Sequence, residues 1–170
     1  MQTNTLKLYS LEYDNAKTYL FATFFVVGNV VLPQLCHVIP NGGITWLPIY
    51  FFTLIGAYKY GWRVGVLTAI ASPIVNSVLF GMPPTPVLPA ILLKSILLAG
   101  FAGFTASRFK KASLRLIGRV VIFYQFFGTL GEWVMNGDLY SAMQDFRIGI
   151  PGMFLQLFGG WAIIHFLIRK

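Results

Sequence analysis

The chain has 170 residues, of which 56% are hydrophobic and 11% charged, with a formal net charge of +8. That balance excludes an ordinary soluble domain, which would leave far too much apolar surface in water, and the 17 glycines and 16% aromatic content exclude a disordered polymer. The length suits one membrane domain, residues 1–170, without a second module.

In chain order, the polar segment 1–17 carries Glu12 and Asp14 and lacks the small-residue cleavage pattern of a secretory signal, so the first apolar helix is expected to be retained. A bilayer core takes roughly 17 to 25 helical residues to cross, with every backbone group satisfied within the helix. Spans of this kind fall at 18–36, 44–57, 64–80, 88–106, 116–135 and 148–168, the second being the shortest. The expected fold is an all-α integral membrane protein, a compact bundle of six transmembrane helices. Its links are brief and rich in breakers: Pro40-Asn41-Gly42-Gly43, Lys59-Tyr60-Gly61-Trp62-Arg63 and Gly81-Met82-Pro83-Pro84-Thr85-Pro86. Short links favour antiparallel neighbours.

The net positive charge follows the same map. Lys7, Lys17, Lys59, Arg63, Arg108, Lys110, Lys111, Arg115, Arg119, Arg169 and Lys170 fall on one side of six spans, and Arg147, with Asp138 and Asp145, on the other. Cytoplasmic loops retain positive charge, so both termini are expected in the cytoplasm; an odd span count would split the clusters. The cations lie between apolar spans and carry no nucleic-acid motif, so no nucleic-acid partner is expected.

Lys94 lies six residues after Leu88 in the fourth span, about 9 Å from its outer entrance at 1.5 Å per residue. A lysine inside a membrane needs a partner and marks a functional hypothesis. It either holds an anionic ligand group, pairs structurally with Glu132, or snorkels to the outer surface. Glu132 and Trp133 sit at comparable depth in the fifth span. Asn29, Gln34, Ser72, Asn76 and Gln156 also fall in the outer or middle parts of their spans. Each amide taken singly reads as glue between helices, yet their shared depth suggests an enclosed pocket open to the outside. Of the four tryptophans, Trp46 and Trp133 are candidates for ligand stacking, while Trp62 and Trp161 read as interface anchors.

Cys36 and His37 adjoin, and a thiol beside an imidazole is one form of nucleophile pair. Successive helical residues point about 100° apart, which opposes that use. A P-loop, His-Glu-x-x-His, Gly-x-Ser-x-Gly and paired intramembrane aspartates are all absent, so no catalytic residue, metal site or cofactor is expected and no enzyme. The small pairs Gly65 with Ala69, Ala99 with Gly103 and Ala102 with Ala106 favour close packing inside the bundle.

The run 42–103 resembles the substrate-binding S components of energy-coupling factor (ECF) vitamin transporters. The resemblance is carried by Trp46-Leu47-Pro48 leading a short second helix, by Tyr58-Lys59-Tyr60-Gly61-Trp62-Arg63-Val64-Gly65, and by Ala71-Ser72-Pro73-Ile74-Val75-Asn76-Ser77 followed by Gly81-Met82-Pro83-Pro84 and Pro86. It implies a multi-pass protein of a prokaryotic plasma membrane, a cell inner membrane where there are two. Such a protein binds a vitamin or micronutrient near the outer surface and works with a coupling protein and two cytoplasmic ATPases. Lys94 stands where the resemblance leads one to expect an acidic residue, which points to an acidic vitamin such as pantothenate. The first span offers Thr18-x-x-x-Ala22 in place of an Ala-x-x-x-Ala docking motif. The competing classes are a membrane-embedded enzyme or redox protein using Cys36 and His37, and a structural subunit of a larger membrane complex.

Overall fold

The computed structural model describes residues 8–169; Lys7, Lys170 and the side chains of Ile168 and Arg169 lie outside what it describes. Among the described residues the chain is helical throughout, with no strand. Ten α-helices follow in order: α1 (Ala16–His37), α2 (Gly42–Trp46), α3 (Phe51–Tyr60), α4 (Trp62–Phe80), α5 (Leu88–Phe109), α6 (Leu114–Asn136), α7 (Leu139–Ala142), α8 (Gln144–Arg147), α9 (Ile150–Phe154) and α10 (Gly160–Arg169). A π turn at Leu155–Gly159 joins α9 to α10, so that Ile150–Leu167 is one apolar rod.

Among the described residues four helices are long and apolar enough to cross a membrane: α1, α4, α5 and the α9–α10 rod. With its 23 residues, α6 matches them in length without being counted among the four. The second expected span is broken. Leu47 adopts a left-handed conformation (φ 47°, ψ 45°), Pro48 follows without an N–H to donate, and a 3-10 turn, Pro48–Tyr50, bridges to α3. The resulting short helix is the centre of the molecule rather than a peripheral crossing. Phe51 and 53–59 are all buried, as befits a helix apolar on every side, and α3 packs against α1, α4, α5 and α10.

Close approach around α3 uses the small residues. A Cβ added at Gly65 would stand 3.1 Å from the Ala99 Cβ and press into Ala57, and one added at Gly103 would stand 2.7 Å from the Trp62 Cα. Ala69, Ala99, Ala102 and Ala106 are buried with them, so these pairs serve internal packing as expected. Thr18 and Ala22 are buried as well, and the Thr18-x-x-x-Ala22 stripe therefore faces the bundle, not an outside partner.

The outer surface is apolar. On α1, Leu20, Phe24, Val27, Val31 and Leu35 are exposed at helical spacing. A stripe of that kind in water is an aggregation hazard, whereas lipid solvates it. With four helices fit to span, this surface is compatible with a multi-pass membrane protein.

The two ends of the bundle differ in charge. At one end the chain before α1 lies along the end of α3, with Tyr9 N donating to the Lys59 carbonyl and Glu12 paired with Arg63. The Tyr58 hydroxyl there donates to the Lys111 carbonyl at 2.6 Å, bringing the loop between α5 and α6 alongside. The opposite end carries α2, the Pro83-Pro84 loop, α7 and α8.

Candidate functional site

A cavity of about 380 Å³ opens at the end opposite the basic loops. Its apolar walls come from Pro33 of α1, Ile44 and Leu47 around α2, the Met82-Pro83-Pro84 loop, and Ala90 and Ile91 of α5. Its polar residues are Lys94, Glu132, Asp145, His37, Tyr50 and Gln144. Volume and lining both fit a site for a small organic molecule.

Lys94 anchors the polar side. It is 4% exposed, and its Nζ donates to Asp145 Oδ2 at 2.9 Å and lies 2.5 Å from Glu132 Oε2. Both carboxylates thus share the one ammonium. The pair with Glu132 is one of the three alternatives that the sequence leaves open for Lys94. Asp145 is not among them, because Asp138 and Asp145 read there only as outer-loop charges. Its position three residues before the expected sixth span was the one available sign that it reaches membrane depth.

Local structure explains how the three charges meet. On α6, glycine at 128 lets the lysine stem run close to the helix: a Cβ there would stand 2.5 Å from the Lys94 Cγ. On the far side, the 137–149 connection folds back over the bundle as α7 and α8. Asp138 caps α7, accepting from the N–H groups of Tyr140 and Ser141. Gly149 then brings the chain against α8 and Leu47, since a Cβ there would stand 2.7 Å from the Asp145 carbonyl oxygen. Asp145 is thereby held 8% exposed.

The amides do not join this cavity. Asn29 donates to Thr53 and Ser72 and accepts from the Phe52 N–H at 3.0 Å. Pro33, four residues on, cannot donate to the Asn29 carbonyl, and Asn76 Nδ2 supplies that bond from α4 at 2.9 Å. Gln34 donates in turn to Asn76. Asn29, Ser72 and Asn76 thus join α1, α3 and α4, the helix-glue reading each received singly. A second network sits at the π turn, where Tyr124 donates to Gln156 Oε1 at 2.8 Å and accepts from Gln125. The single polar pocket expected from shared depth is divided into two hydrogen-bonded seams and one charged cluster.

The tryptophans lie beside the cavity rather than in its wall. Trp46 is 36% exposed and backs onto Gly152, and Trp133 is 42% exposed. Tyr50 is the aromatic ring that lines it, tilted against Tyr124 at 5.6 Å between centroids. Of the Cys36–His37 pair, His37 faces the cavity and Cys36 is not in its lining. Among the described residues no three His, Cys, Asp or Glu side chains gather as a metal site would require.

The chain matches no family model, no curated protein and no solved structure. Chemical argument therefore starts from the cavity itself. An apolar-walled chamber with one charged side wall can hold and orient a small molecule.

Proposed function

We propose that this chain is the substrate-binding S component of an ECF-type uptake transporter for a vitamin or other micronutrient. In this reading six segments cross a prokaryotic plasma membrane, with α2, the 3-10 turn and α3 as the second crossing and both termini cytoplasmic. The ligand enters from outside, and a separate coupling protein with two cytoplasmic ATPases supplies the power.

The observation that carries the reading is the cavity with its Lys94–Glu132–Asp145 wall, at the end away from the basic loops. Positive-inside orientation makes the loops carrying Arg63, Arg108, Lys110 and Lys111 cytoplasmic and opens the cavity outward. The sequence resemblance over 42–103 supports it too, with the Trp46-Leu47-Pro48 break and the Met82-Pro83-Pro84 loop both bordering the cavity. For docking of the coupling protein, the exposed apolar faces are available, since Thr18 and Ala22 are buried.

The test is chemical identification. Protein purified from its native membrane in mild detergent should retain one small molecule, detectable by mass spectrometry of the denatured extract. Cells carrying the gene with the energising subunits should accumulate that molecule. Protein that never carries a compound, in cells whose uptake is unchanged by deleting the gene, would leave the structural-subunit reading in its place.

A further inference from the structure

We infer that the cavity selects a small organic cation, an ammonium or amidinium on an apolar body, with its nitrogen held alongside Lys94 by the cavity-facing side of the Glu132 and Asp145 carboxylates. This inference rests on the receptor reading above and specifies its ligand class. The charge count at the wall is the starting point. One ammonium, Lys94, faces two carboxylates, Glu132 and Asp145, and all three line the cavity. The set keeps one formal negative charge at a buried position.

Among the described residues no neighbouring cation makes up the difference. Arg147 is two residues from Asp145, yet its guanidinium lies over the Tyr140 ring, 3.7 Å from the centroid, and donates to the Tyr140 hydroxyl at the exposed surface. His37 opens onto the cavity with its ring packed on Gly43, at the other wall. Glu132 Oε2, buried, is held by the same ammonium that holds Asp145 Oδ2, so the two carboxylates share a single cation. Two carboxylates sharing one ammonium favour an arriving N–H donor over an arriving anion. An anionic group would meet two carboxylates to reach one ammonium that both already hold. Tyr50 adds an aromatic ring to the lining, a group whose π face attracts cations. Opposite, Pro33, Ile44, Pro83, Val87 and Ile91 give an apolar body its seat. Lys94, which taken alone points to an acid, serves here to hold the two carboxylates in place.

The experiment uses three probes of one shape and three charges: 2-phenylethylamine, 2-phenylethanol and 3-phenylpropionate. Each is titrated calorimetrically into the full chain in detergent micelles, with empty micelles subtracted, and melting is followed in parallel. The amine is expected to bind at least tenfold more tightly than the alcohol, with the propionate weakest. Glu132→Gln and Asp145→Asn, each leaving Lys94 one partner, should remove most of that preference. If neither variant folds, the wild-type order alone decides. Propionate binding as tightly as the amine overturns the cation class and leaves the receptor reading standing. Sodium chloride matching the amine's effect on melting overturns it in favour of any small cation. Failure of all three probes, in protein that also carries no co-purified compound, overturns this inference and the receptor reading together.

Discussion

At the scale of single residues, Lys94 decides most. A buried ammonium costs several kcal/mol unless it is paired, and here it has two carboxylates within 3 Å. Lys94→Met strands both of them, so thermal unfolding of the unliganded protein should show a loss of about 3 to 5 kcal/mol. The triple variant Lys94→Met, Glu132→Gln, Asp145→Asn removes every charge of the cluster and should recover most of that loss. Asp145→Asn alone leaves Lys94 paired with Glu132 and should cost distinctly less than Lys94→Met. A Lys94→Met protein that melts like the wild type would show that the carboxylates are not held by the lysine in the membrane. Gly128 is the companion residue. Gly128→Ala places a methyl against the Lys94 stem, where the contact is too short to be absorbed, and is expected to destabilise by roughly 1 to 3 kcal/mol. The same change at Gly100, whose Cβ position is open, should be near neutral by the same melting assay.

Elements are held by repaired backbone. Pro33 frees the Asn29 carbonyl, and Asn76 restores its bond from another helix, so a defect in α1 becomes a cross-link to α4. Asn29→Ala removes the side-chain bonds to Thr53, Ser72 and the Phe52 N–H. Intramembrane hydrogen bonds average about 0.6 kcal/mol each, so a loss of about 2 kcal/mol in a melting experiment is expected. Because this seam lies outside the cavity, probe affinity in the folded variant should not move; a selective loss of affinity would return Asn29 to the site. The end of α5 offers the opposite sign. Lys110 is exposed and left-handed at φ 49°, the position glycine favours after a helix, so Lys110→Gly should raise stability by about 1 kcal/mol. An unchanged or lower midpoint would place the helix end elsewhere.

For the whole molecule, orientation is the quantity to measure. In a Cys36→Ala background, Asp138→Cys should react from outside with a membrane-impermeant maleimide, and Lys111→Cys only after the membrane is opened. Both positions are exposed, so access is governed by sidedness rather than packing. Cytoplasmic labelling at 138 would sink the six-crossing proposal and the outward cavity with it. The packing itself is organised around α3, which at ten residues is far shorter than the helices fit to span and is buried over most of its length. Helices fit to span surround it and present their large apolar side chains outward.

Much of this was legible in the chain alone. Apolar length marks the helices, because lipid tolerates little else: helices overlie five of the expected stretches, four of them fit to span, while the second is broken at Leu47-Pro48. The small-residue spacings marked internal packing, and Lys94 with Glu132 stood out because a membrane lysine without a partner is costly. Tertiary structure decided the rest. Depth along separate helices says how far a side chain lies from the surface and nothing about the direction in which it points. Asn29 and Asn76 therefore shared a level with Lys94 without sharing its cavity, and Trp46 and Trp133 came near it without lining it. Asp145 belonged to a connection, whose path no periodicity constrains, and only the fold of α7 and α8 over the bundle brought a second carboxylate to the lysine. With it the sign of the site's charge changed, because that sign is a sum over neighbours in space.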